Sequence, residues 1–246
     1  MMDIWTVLGL ALLPALGNFA GGLLAEFTAT PKNRLNNALH GAAGIVIAVV
    51  AVEIMPEALK KTSSLVIALG FGLGGLAYLL IQGGVRKLQG RFGKQTESNL
   101  SMWMVYVAVS VDLFSDGLLV GTGSTISLSM AVVLALGQVL ADGPEGYATV
   151  ANMKANGIPR LKRTLLSATL VVPALGAAAF SFYLLRDQSQ TLQMGMLTFT
   201  AAILTVAAVE DMLSEAHESA DDTRYSVLAF TGGFVLFTLV SAGLGS

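Results

Sequence analysis

Residues 100–152 read LSMWMVYVAVSVDLFSDGLLVGTGSTISLSMAVVLALGQVLADGPEGYATVAN, and this stretch decides the fold. It contains no Lys or Arg, yet Asp112, Asp116, Asp142 and Glu145 interrupt two otherwise apolar runs. Each run is long enough to cross a bilayer, which takes roughly 20 residues of helix. A carboxylate at the bilayer centre costs roughly 3 kcal/mol on insertion scales and is by default a functional position. With no base in either run, a proton or a cation must neutralise these groups.

The rest of the chain extends the same pattern. Its 246 residues are 54% apolar and 12% charged, with a mean hydropathy of +0.71. A soluble domain carries about 25% charged residues, so this chain has too little polar surface to cover a globule in water. Eight apolar runs are expected to span: Ile4–Glu26, Leu39–Leu59, Leu65–Gly84, Leu100–Gly121, Ile126–Asn152, Leu165–Leu185, Met194–Glu215 and Val227–Leu244. The expected fold is an all-α polytopic membrane protein, with residues 1–246 forming one transmembrane domain. The first run does not read as a signal peptide, because Asp3 stands where a basic segment belongs and the run is too long. The absence of cysteine excludes disulfides, thiolate metal sites and cysteine nucleophiles. No basic run tracks nucleic acid, and no Gly-x4-Gly-Lys-[Ser/Thr] loop supports an ATP-driven pump.

Basic residues set the expected orientation. The connections after spans one, three, five and seven hold Lys32, Arg34, Arg86, Lys87, Arg91, Lys94, Lys154, Arg160, Lys162, Arg163 and Arg224. The opposite side holds only Lys60, Lys61 and Arg186. Both termini are therefore expected on the non-cytoplasmic side of a cell (inner or plasma) membrane. Residues 86–99 are expected to form one of the longest polar connections, a solvated tether.

The acids share faces. Asp112 and Asp116, four residues apart, differ by about 40° around a helix. Gln138, Asp142 and Glu145 fall on one stripe of the next span. Pro144 lacks an N–H, which frees the carbonyl of Leu140, and loose carbonyls at membrane depth are tolerated where they line an ion site. If spans four and five pack together, four carboxylates converge without a histidine, and oxygen-only ligation suits Mg, Mn or Ca, with Fe(II) also acceptable. Protonated carboxyls bonding to neighbouring helices are the competing explanation. An echo lies elsewhere: Glu53-Ile-Met-Pro56-Glu57-Ala in span two recurs as Asp211-Met-Leu-Ser214-Glu215-Ala in span seven, 158 residues later. Glu210 precedes the second copy. The copies sit on an even and an odd span and so run oppositely, as in inverted-repeat transporters. Spans one to three and six to eight would then be repeats around a core of spans four and five.

At these residues the chain resembles the ZIP (Zrt/Irt-like) divalent metal transporters over nearly its whole length. Asp142-Gly-Pro-Glu145-Gly is similar to that family's His/Gln-Asn/Asp-x-Pro-Glu-Gly helix. Asp112-Leu-Phe-Ser-Asp116-Gly is similar to its His-Asn-x-x-Asp/Glu-Gly pattern. The resemblance implies that Asp112, Asp116, Asp142 and Glu145 hold the transported ion, and that Asp211 and Glu57 belong to the pathway or a gate. Glu53, Gln138, Glu215, His40 and His217 join the pathway or gate set. The chain departs from the family by having Asp112 for histidine, Leu113 for asparagine, Ala141 at the leading position, and Val172 where many members carry Glu before the proline matching Pro173. One carboxylate-rich site follows, favouring Mn or Fe(II) over Zn as substrate, with no organic cofactor.

His40 and His217, the only histidines, fall at the same end of the molecule. An interfacial hydrogen bond is the bland reading; an exit-side metal ligand, helped by Glu218, Asp221 and Asp222, is the sharper one. The scattered methionines read as packing rather than a copper site. The runs Gly70-Phe-Gly-Leu-Gly-Gly75 and Gly121-Thr-Gly123 read as close helix contacts, and Gly70–Gly75 also offers a homodimer surface. The expected activity is movement of a divalent metal cation toward the cytoplasm, not enzymatic catalysis. Two other classes stay open: a metal-binding sensor or inactive homologue, and an intramembrane aspartic hydrolase using Asp112 or Asp116 with Asp142.

Overall fold

In the computed structural model, which describes residues 2–92 and 97–244, the chain forms eight long helices, and no strand is present among the described residues. We number them α1 (Ile4–Phe27), α2 (Lys32–Lys61), α3 (Ser64–Phe92), α4 (Glu97–Ile126), α5 (Leu128–Ala155), α6 (Arg160–Leu185), α7 (Gln190–Ser219) and α8 (Arg224–Leu244). Seven are long and apolar enough to cross a membrane. The exception, α5, has 28 residues and a length of about 42 Å; Gln138, Asp142 and Glu145 lower its apolar content.

The burial pattern is that of a protein dissolved in lipid. Leu69, Leu73, Leu76 and Leu80 of α3 and Val227, Leu228 and Leu239 of α8 are exposed, while Asp116, Gln138, Asp142 and Thr200 are buried. Water would reject that arrangement, whereas hydrocarbon accepts the leucines and forces polar groups inward. The chain is a multi-pass membrane protein.

Helices run past the apolar segments that mark them in the sequence. α2 begins at Lys32 rather than near Leu39, α4 continues to Ile126, and α6 begins at Arg160. Hydrophobicity registers only the hydrocarbon-facing part, while polar turns complete the helices in the interface. For the same reason the expected tether at 86–99 is largely replaced by helix: α3 continues to Phe92 and α4 starts at Glu97. Only residues 93–96 of that segment lie outside the described residues. Local chemistry fixes the ends. Asp3 caps α1 by accepting from the Thr6 amide at 2.7 Å, and Ser127 alone separates α4 from α5 and caps the latter through Met130 N at 3.0 Å. Gly157, at φ +72°, turns the chain out of α5.

Packing follows four pairs: α5 against α1, α4 against α6, α2 against α8, and α3 against α7. Each pair meets at glycines. A Cβ on Gly21 would strike the Gly143 carbonyl and one on Gly146 the Asn18 carbonyl. Gly117 meets Ala174, Gly44 meets Phe230, and Gly74 meets Phe199 in the same way. Small residues let backbones approach and gain dispersion contacts where lipid removes the hydrophobic driving force. Half of the run Gly70–Gly75 is used so, since Gly70 and Gly74 face α7 while Gly72 and Gly75 have open space.

Two helices contain a wide turn at matching places. Val49–Ile54 in α2 and Ala208–Met212 in α7 are π-helical. The Met55 amide bonds the Val50 carbonyl, and the Leu213 amide bonds the Ala208 carbonyl, each five residues back. These bonds are 158 residues apart, the same offset as the sequence echo. Such π turns occur frequently at functional sites, and here they carry Glu53, Glu210 and Asp211.

Basic residues at the far end of α1 have structural work. Arg163 grips Glu26 through two bonds of 2.6 and 2.7 Å, and Lys154 Nζ donates to the Ala25 and Thr28 carbonyls, both at 3.2 Å. These contacts tie α5 and α6 to the end of α1.

The glycine contacts give a direct test. Gly146→Val should destabilise the folded protein by about 3 kcal/mol or more, because the obstacle is backbone rather than a movable side chain. Gly9→Ala, with nothing within 4 Å, should be neutral or slightly stabilising. Thermal unfolding in detergent compares them; equal midpoints would contradict the packing account.

Candidate metal centre

The i, i+4 spacing on α4 and the 138, 142, 145 stripe on α5 face each other as the sequence implies. Asp112, Asp116 and Asp142 each place a carboxylate oxygen within 4.8 Å of the others. Asp116, Gln138 and Asp142 are 0–1% exposed and Glu145 8%. The Gln138 amide donates to Asp116 Oδ1. Pro144 lies inside a continuous α5.

Hydrogen bonding leaves this cluster incomplete. Asp116 Oδ2, Gln138 Oε1, Asp142 Oδ2 and Glu145 Oε2 are buried and receive no N–H or hydroxyl donor among the described residues, while Asp116 meets Asp142 and Asp112 meets Glu145 carboxyl to carboxyl. An unmade bond to a buried polar atom costs about 1–3 kcal/mol, more for a charged one. Four such oxygens at one place are therefore strongly destabilising unless protons or a cation join them. Among the described residues, the ion pairs with Lys or Arg engage Glu26, Glu57 and Asp187 and none of these four acids. The donor set is oxygen throughout, which fits a hard or borderline divalent ion.

A cavity of about 350 Å³ leads to the cluster from one side. Asp112 and Glu145 line its inner wall; Tyr78 and Gln82 of α3, Thr149 of α5, and Asp211 and Glu215 of α7 line the rest. Asp116 and Asp142 lie behind this wall. Val105, Ala108 and Val109 of α4 complete the lining on the side of α3. Glu215 accepts from Asn152 Nδ2 at 3.2 Å.

The remaining sequence candidates separate into two groups. Glu53 accepts from Ser241 Oγ at 2.7 Å and Glu57 pairs with Lys61 at 2.5 Å, and neither lines the cavity. His40 and His217 lie together, with ring centroids 5.6 Å apart, against Asp222 in the α7–α8 connection. The amide of Asn36 first, then His217 and His40, hold the Asp222 carboxyl below the usual carboxylate range. Sequence reasoning missed Thr149, Asn152, Tyr78, Gln82 and Asn36. A signal for the first two existed, because 138, 142, 145, 149 and 152 continue one stripe along α5. Nothing local marks the α3 residues.

No family model matches this chain, and no curated protein matches it.

If the cluster is a charge-bearing site rather than packing, neutralising one member should help the metal-free fold. Asp142→Asn should raise stability by roughly 1–2 kcal/mol in chelator, read as a higher thermal midpoint. A lower midpoint would mean that Asp142 is a structural hydrogen-bonding carboxyl.

Proposed function

We propose that the protein carries a divalent metal cation across the membrane toward the cytoplasm, through the carboxylate site between α4 and α5. The observation that carries this reading is the acid-lined cavity, which ends on Asp112 and Glu145 while Asp116, Asp142 and Gln138 stay sealed behind them. Any bound ion needs an entry path, but acids that continue along the wall to Asp211 and Glu215 suit a cargo that passes along it.

The packing supports an inverted repeat of α1–α3 and α6–α8 around α4 and α5. Exchanging one with six, two with seven, three with eight and four with five turns the α1–α5 pair into α6–α4, and α2–α8 into α7–α3; all four are observed pairs. The two π turns exchange as well. Alternating access by such a pair of repeats places the site at their shared core. We read all eight helices as spans, with both termini outside the cytoplasm, and the motif resemblance to ZIP transporters as kinship.

Within this reading the residues divide the work. Asp112 and Glu145 meet the ion at the cavity wall, Asp116 and Asp142 complete its oxygen shell, and Gln138 holds Asp116 while offering its own carbonyl oxygen. One ion at a time follows from the surroundings. Leu113 is buried in an apolar cluster with Val109, Leu170 and Ala174, and Val172 is 66% exposed on the outer surface, so neither position serves a second adjacent ion. Oxygen-only ligation favours Mn or Fe(II) over Zn. A hydrolase dyad would need water and substrate at two acids, whereas the cavity reaches only Asp112 among the aspartates of the pair.

Uptake into proteoliposomes should be saturable, highest for Mn and Fe(II), and reduced at least about 100-fold by Asp116→Ala/Glu145→Ala, since loss of a ligand costs at least as much as loss of its supporting bonds. Protons compete for the same oxygens, so uptake should fall as pH drops. Absence of uptake by folded, inserted protein would overturn transport and favour a sensor; Zn moving fastest would overturn the selectivity claim.

A further inference from the structure

The two histidines of the chain stand 177 positions apart in sequence and meet on one carboxylate. Asp222 Oδ2 lies 2.8 Å from His217 Nε2, and Asp222 Oδ1 lies 3.5 Å from His40 Nε2. The other nitrogen of His40, Nδ1, is 2.9 Å from the Asn36 carbonyl. A carbonyl only accepts, so Nδ1 carries the hydrogen. In neutral imidazole that leaves Nε2 a lone pair, facing a carboxylate oxygen that is also an acceptor. Two acceptors at that distance repel unless a proton or a metal cation lies between them.

Further bonds hold Asp222 in place. The two hydrogens of the Asn36 amide are shared among Asp222 Oδ1 at 3.0 Å and the carbonyls of Ala216 and Ala220 at 3.0 and 3.1 Å, and Asn36 Oδ1 accepts from Ser226 Oγ at 2.6 Å. Metal-ligating histidines characteristically donate their second nitrogen to a backbone carbonyl, which is the arrangement of His40. One potential ligand atom from each of the three residues falls within 4.8 Å of the others. Ligand atoms on tetrahedral zinc are about 3.3 Å apart, given metal–nitrogen bonds near 2.0 Å. His217 and Asp222 are open to solvent, so an ion can arrive and water can fill a fourth position.

We propose that His40, His217 and Asp222 form a second divalent-cation site, separate from the α4–α5 centre and selective for nitrogen-favouring first-row ions such as Zn(II) and Co(II). The site joins α2 to the end of α7 and its connection to α8. Its chemistry differs from the all-oxygen centre, so Mg(II) and Ca(II) do not compete well for it. The proposal stands whether or not the protein transports.

The test uses the full chain with the core silenced by Asp112→Asn, Asp116→Asn, Asp142→Asn and Glu145→Gln. Co(II) titration, followed by its visible absorption, should show one saturable equivalent that excess Mg(II) leaves in place. Adding His217→Gln should weaken binding about tenfold or more, and His40→Gln/His217→Gln should abolish it, with circular dichroism showing retained helix. Should those variants not fold, the native-histidine chain labelled with 15N-histidine gives the answer, because Zn(II) must shift a ring-nitrogen resonance of both residues. No binding to the folded, silenced protein, binding that survives loss of both histidines, or unmoved nitrogen resonances would each overturn the site.

Discussion

Four carboxyl groups crowded together inside the helix bundle are the constraint on which this structure turns. Asp112, Asp116, Asp142 and Glu145 stand on two adjacent helices whose intramembrane runs contain no base. Coulomb repulsion between such groups, once ionised, is weak in water and several-fold stronger in a protein interior, and four buried oxygens receive no N–H or hydroxyl donor among the described residues. A fold that maximised stability would replace them with leucine. Their presence places strain at one point, and the surrounding helices must be packed well enough to hold it.

That packing comes from small residues rather than from a hydrophobic core in the soluble sense. The backbone contacts at Gly21, Gly146, Gly117, Gly44 and Gly74 bring four helix pairs close together, and polar ends fasten them through Arg163–Glu26 and Lys154. α5 is central, touching α1, α2 and α4 while presenting the stripe from Gln138 to Asn152. The cavity reaches this stripe at Glu145 and Thr149, while Gln138 and Asp116, bonded to each other, are buried away from it. The same helix therefore supplies two acids of the cluster and part of the cavity wall.

Much of this was legible in the sequence because two signals, hydrophobic length and acid spacing, are local. The i, i+4 pair on α4 and the three-residue stripe on α5 met as helical geometry requires. Hydrophobicity places helix ends short, since polar turns such as Lys32–Asn36 and Arg160–Arg163 carry no apolar signal. The segment 86–92 reads as loop by composition yet continues a helix. The π turns beside Glu53 and Asp211 were visible only as an echo of residue types, because a single five-residue bond has no compositional mark. The meeting of His40, His217 and Asp222 depends on tertiary packing of α2 against α7 and α8, and no spacing rule reaches across 177 residues.

Anomalous diffraction from crystals loaded with Mn(II) decides whether the α4–α5 carboxylates bind a divalent cation through oxygen. A peak enclosed by Asp112, Asp116, Asp142 and Glu145 is expected, with oxygen ligands at about 2.1–2.3 Å, absent from crystals of the Asp116→Ala/Glu145→Ala protein. Well-ordered crystals with no peak there at saturating Mn(II), and the four carboxyls bonded to one another instead, would contradict cation binding at these carboxylates.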